Sequence, residues 1–61
     1  MNELEKAKAF IVDKNNSLTE TSKNLNMPLP TLKAYRAEPD KLKTAAWKRV
    51  HLLAGEYDAK H

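Results

Sequence analysis

The sequence predicts an all-α fold, a compact bundle of four short helices, and three observations carry that expectation. Apolar residues recur at helical spacing in four separate stretches. Residues that cap or stop helices punctuate those stretches, among them Asn2, Ser17, Asn26, Pro28, Pro39 and Gly55. No run alternates apolar and polar residues as a half-buried strand does. The 61 residues leave room for one small domain over 1–61, with no internal repeat and no linker.

The first helix is expected at about 3–13. Leu4, Ala7 and Ile11 fall at i, i+3 and i+7 with Phe10 beside them, and Asn2 can cap the start. Glu3 and Glu5 suit the positive end of the helix dipole, and Lys14-Asn15-Asn16 stops the helix. Ser17 stands three residues before Glu20, the capping-box spacing, and opens a second helix over 18–25. It presents Leu18, Ser22 and Leu25 on one face, and Asn26 follows as a left-handed stop. Pro28 pushes Met27 out of the helical region, and Pro30 costs no hydrogen bond in a first turn. A third helix over 30–37 turns Leu32 and Tyr35 inward. Pro39 forces Glu38 to extend and opens a fourth helix over 40–54. Leu42, Ala46, Val50, Leu53 and Tyr57 form its stripe, Gly55 ends it, and a tail at 58–61 frays. The expected core is Leu18, Leu25, Leu32, Leu42, Val50 and Leu53.

Composition narrows the function classes. With no Cys there is no disulfide and no thiolate metal site, and His51 and His61 make no ligand set, so no metal and no cofactor are expected. Glu3 and Glu5 face different sides of a helix and form no catalytic pair; Lys6 and Lys8 are their expected partners. Walling off a pocket takes more core than this length supplies, so neither an enzyme nor a small-molecule ligand is expected. No apolar run is long enough for a membrane span, and MNELEKAKAF does not read as a signal peptide, so a cytoplasmic chain is expected. The net charge is +3 and the pI about 9.3. Its distribution is uneven: residues 1–20 balance to −1, while 21–54 hold seven bases against two acids, +5. A basic centre of this kind is the electrostatic footprint of a polyanion binder.

Residues 18–37, LTETSKNLNMPLPTLKAYRA, carry a more specific pattern. A small residue, Ser22, sits mid-helix; Leu25, Asn26 and Met27 follow as apolar, turn and apolar; Leu32 and Tyr35 stand three apart in the next helix. This register resembles the helix-turn-helix of the lambda-repressor/Cro-like (Xre-type) DNA-binding family of bacteria and phages. The likeness covers about a third of the chain tightly and 3–54 loosely, by helix order. The sequence departs from the family with Asn26 for the usual turn Gly, Ser22 for the commoner Ala, and Pro28 and Pro30 where Ser and a polar reader are frequent.

The resemblance implies that helix 3 lies in the major groove of double-stranded DNA. With Leu32 and Tyr35 inward, helical phase turns Leu29, Pro30, Lys33, Ala34 and Ala37 toward the bases. Lys33 is the one charged base reader, able to donate to guanine, while Leu29 and Ala34 suit thymine methyl groups. Thr19, Thr31, Arg36, Lys41 and Lys43 are the expected phosphate contacts. Lys48 and Arg49 read as a solvated face. One recognition helix covers half a site, so a homodimer is expected. Trp47, His51, Leu52, Ala54 and Tyr57 hold more apolar surface than one stripe buries and are its expected interface. The function implied is a small repressor that occludes an operator, or an excisionase-like architectural factor. The alternative from another class is a protein-interaction module, an antirepressor or adaptor subunit.

Overall fold

Asn2 starts the first helix through a reciprocal capping box: its Oδ1 accepts from the Glu5 N–H at 2.8 Å, and Glu5 Oε1 accepts from the Asn2 N–H at 3.1 Å. The computed structural model describes residues 1–60 and contains α1 (Glu3–Val12), α2 (Leu18–Leu25), α3 (Leu29–Ala37), a 3₁₀ helix (Pro39–Thr44) and α4 (Trp47–Lys60). No strand occurs among the described residues.

The turn after α1 is held by side chains. Asp13 is extended (φ −74°, ψ 110°), and its Oδ1 accepts from the Asn15 N–H at 2.9 Å. The carbonyls at the end of a helix have no partners within it. Buried Asn16 donates Nδ2 to the Phe10 carbonyl at 2.9 Å. From α3, Arg36 donates Nε to the Ile11 carbonyl at 2.8 Å, and Nη2 to those of Asp13 and Asn16 at 2.9 and 2.8 Å. One guanidinium thus ties α3 to the α1–α2 turn and sets a positive charge at the negative end of α1.

Contacts between α1 and α4 advance together along both helices. Glu3 Oε1 meets His51 Nδ1 at 2.9 Å, Lys6 pairs with Asp58 at 2.9 Å, and Lys60 Nζ lies 5.7 Å from the centre of the Phe10 ring. The two helices therefore run in the same direction, and α2, α3 and the 3₁₀ helix form the return between them. The core gathers Ala7, Phe10 and Ile11 from α1, Leu18, Met27, Leu32, Tyr35 and Leu42 from that return, and Leu53 from α4. Leu25 and Val50, expected inside, are half-buried at its edge.

Several expectations are corrected. The fourth helix is not continuous over 40–54: a 3₁₀ helix ends at Thr44, Ala45 is extended (φ −72°, ψ 156°), and α4 starts at Trp47. Leu42 reaches the core from the 3₁₀ turn, while Ala46, placed in the apolar stripe, is exposed beside the break. Gly55 does not end α4; it is an exposed residue within it. The tail expected to fray is helical through Lys60, and His61 lies outside the described residues. Glu3 and Glu5 pair with His51 and the Asn2 backbone, not with Lys6 and Lys8, which bind Asp58 and Asp40.

Candidate nucleic-acid interface

The α2–α3 turn is built around Asn26, the one non-glycine residue with positive φ (φ 54°, ψ 44°) among the described residues. Its N–H closes α2 on the Ser22 carbonyl, which also accepts from the Met27 N–H at 3.1 Å. The Ser22 hydroxyl donates forward to the Met27 carbonyl. This hydroxyl adds a clamp that an alanine could not form. Met27 is buried, so the turn is pinned from both sides.

Buried Leu32 and Tyr35 hold α3 to the core. Its opposite flank exposes Pro30, Lys33 and Ala37, with Ala34 half-buried between them. Leu29 is also half-buried, because part of its side chain packs on the core. No acid stands on α3, and Lys33 has no ion pair among the described residues. Pro28 and Pro30 lack N–H groups, and the Thr31 and Leu32 amides bond to the Pro28 carbonyl. The first turn of α3 is left with the Leu29 amide alone for an outside acceptor. At α2, the Ser17 hydroxyl takes the Glu20 amide at 3.3 Å and its carbonyl takes that of Thr21. The Leu18 and Thr19 amides remain, beside the exposed Thr19 side chain.

The expected phosphate contacts divide. Thr19 is exposed and Thr31 half-buried. Lys41 and Lys43 are exposed on the 3₁₀ helix, loosely paired with Glu38 at 3.9 Å and Asp40 at 4.0 Å. Asp40 also pairs with Lys8 at 3.1 Å. That hydrogen bond and the charge of Lys8, then the charge of Lys43, hold the Asp40 carboxyl below its ordinary pKa of 3.8. Arg36 is corrected: its guanidinium is spent on three carbonyls of the α1–α2 turn, so its role is structural.

The expected dimer residues also separate. Ala54 is 3% exposed and belongs to the interior, because α4 buries it beside Leu53. Leu52 and Tyr57 are half-buried against the core. Only Trp47 and His51 face out, their rings stacked with centroids 4.7 Å apart.

Lys48 and Arg49, read as a solvated face, have a defined setting. With Leu25, Met27, Pro28 and Leu52 they line a groove of about 250 Å³ between the α2–α3 turn and the start of α4. Arg49 Nη1 donates to the Tyr35 hydroxyl at 3.2 Å. The basic segment 21–54 contained this signal, but nothing local in the sequence brings α4 against the turn. Among the described residues, no group of three His, Cys, Asp or Glu could hold a metal, and no helix is long and apolar enough to cross a membrane.

No family model matches the chain, and no curated protein or solved structure matches it either.

Proposed function

We propose that the chain is a non-enzymatic, sequence-specific double-stranded DNA-binding protein, a small repressor of the lambda-repressor/Cro-like kind acting by operator occlusion. The observation that carries this reading is the free flank of α3: acid-free, bearing unpaired Lys33, and backed by Leu32 and Tyr35. In this reading α2, the Asn26 turn and α3 act as a helix-turn-helix, with Lys33, Ala34 and Ala37 against the bases. Thr19 and the free amides of α2 hold one phosphate strand, and Lys41 the other. Two copies reading half-sites about 34 Å apart supply specific affinity.

Fluorescence anisotropy with random duplex DNA tests it. The wild type binds in the micromolar range or weaker at 50 mM salt, and log K falls linearly with log[salt] at about −0.9 per phosphate neutralised. Lys33→Ala weakens binding without changing stability, because an exposed, unpaired side chain is removed. A wild type that fails to bind at 50 mM salt overturns the reading. That outcome favours a protein-interaction module, for which one observation speaks: four of the five base-facing residues, Leu29, Pro30, Ala34 and Ala37, are apolar.

A further inference from the structure

Trp47 leaves 66% of its surface exposed, although it is the only tryptophan of a small chain. It is not loose. Its ring stacks on His51 at an interplanar angle of 22°, and His51 Nδ1 lies 2.9 Å from Glu3 Oε1. The chain α1–His51–Trp47 therefore fixes an exposed indole in one orientation, which cuts the ordering cost of any contact it makes. Beside it lies an open groove of about 350 Å³ between the start of α1, the 3₁₀ helix and the start of α4. Leu4, Leu42 and Val50 contribute its apolar lining, Glu3 and Lys43 its charges, and Trp47 one wall.

We propose that this groove is a self-association site that receives Trp47 from a second copy of the chain. The argument is complementarity within a single patch. A two-fold interface uses the same surface twice, so each feature must meet its counterpart on that surface. Here a rigid aromatic knob adjoins an apolar hole, and charges of opposite sign sit on one rim. A two-fold axis between the copies seats each Trp47 in the other's groove and sets Glu3 of one copy against Lys43 of the other. The patch is locally near neutral, so two chains of net charge +3 meet where their repulsion is least. Glu3 also disfavours nucleic acid as the occupant. The site deepens the dimeric DNA-binding reading and rests on it only for its purpose, since association requires no DNA.

Trp47, as the only tryptophan, reports its own burial. Sedimentation and tryptophan emission are followed up to about 100 μM protein without DNA, a range that captures micromolar to weak association. The expected result is a monomer–dimer equilibrium with emission shifting to the blue as protein concentration rises. Trp47→Ala weakens association by about tenfold or more, as removal of a central aromatic anchor does. Glu3→Lys and Lys43→Glu each weaken self-association alone, yet an equimolar mixture of the two variants dimerises, because both cross-subunit pairs are then of opposite sign. Loss of fold could not give that mixing result. A wild type that stays monomeric, a Trp47→Ala chain that associates as the wild type does, or a mixture no better than its components overturns the proposal. The DNA reading fails separately, by anisotropy on random duplex, where a monomer still binds through phosphates.

Discussion

Arg36 and Lys33 stand three residues apart on α3, both basic, and the fold gives them opposite duties. Arg36 turns back to three backbone carbonyls, while Lys33 faces solvent. Arg36→Ala removes this donor from the carbonyls of Ile11 and Asn16 and leaves that of Asp13 with the Asn16 N–H alone, in a half-buried site. Hydrogen bonds to a charged group contribute about 1.5–3 kcal/mol net, and three bonds sharing one side chain are not additive, so a loss of about 2–3 kcal/mol is expected in urea denaturation. Arg36→Lys recovers little, since a single ammonium cannot replace the planar fork that spans Nε and Nη2. Among molecules still folded, the salt slope of DNA binding is expected to be unchanged by Arg36→Ala and reduced by Lys41→Ala, whose ammonium the proposed reading sets on phosphate. Helical phase placed Lys33 outward from the spacing of Leu32 and Tyr35 alone. The duty of Arg36 was not legible, because its acceptors lie 20–25 residues away and are backbone atoms, which composition cannot mark.

α1, α2 and α3 were legible to within a residue, because side chains with specific backbone chemistry mark their ends: Asn2, Ser17, Asn26 and Pro28. The boundary between the 3₁₀ helix and α4 was not. Ala45 and Ala46 are good helix formers with no capping group, and Leu42, Val50, Leu53 and Tyr57 keep helical phase across the break. Gly55 misled in the opposite sense. A glycine after an apolar stripe is a common C-terminal signal, but here Ala54 and Tyr57 pack on either side of it and carry the helix onward. Gly55 has no positive φ, and a Cβ built on it meets nothing within 4 Å. Gly55→Ala therefore removes unfolded-state freedom at no steric cost. It is expected to stabilise the protein by about 0.5–1 kcal/mol and raise Tm by a few degrees in calorimetry. A lower Tm would mean that α4 bends or frays at this point.

At the scale of the whole molecule, the parallel pair α1–α4 is the frame, and α2, α3 and the 3₁₀ helix are a return loop spread across it. The candidate DNA-reading helix thus depends on a frame whose last turn lies far from it. Tyr57 packs on the core, Asp58 pairs with Lys6, and Lys60 lies over Phe10, so the end of α4 covers the middle and end of α1. Sequence alone treats residues 58–61 as expendable, because a short charged tail carries no apolar pattern of its own. Two of those three contacts are exposed charge interactions worth little singly; the half-buried Tyr57 is the larger part. Truncation after Gly55 removes all three at once and opens the Phe10–Ile11 end of the core to water. The expected cost is about 2 kcal/mol, and at this chain length each kcal/mol shifts Tm by roughly 4–8 °C. A domain with one core loses its elements together, so the loss of helical circular dichroism and the loss of DNA binding on heating should move down by the same amount. A truncated chain with unchanged Tm would mean that α4 is anchored by Val50, Leu53 and Ala54 alone. A binding midpoint that fell well below the helical midpoint would show α3 separating from a frame that stays folded.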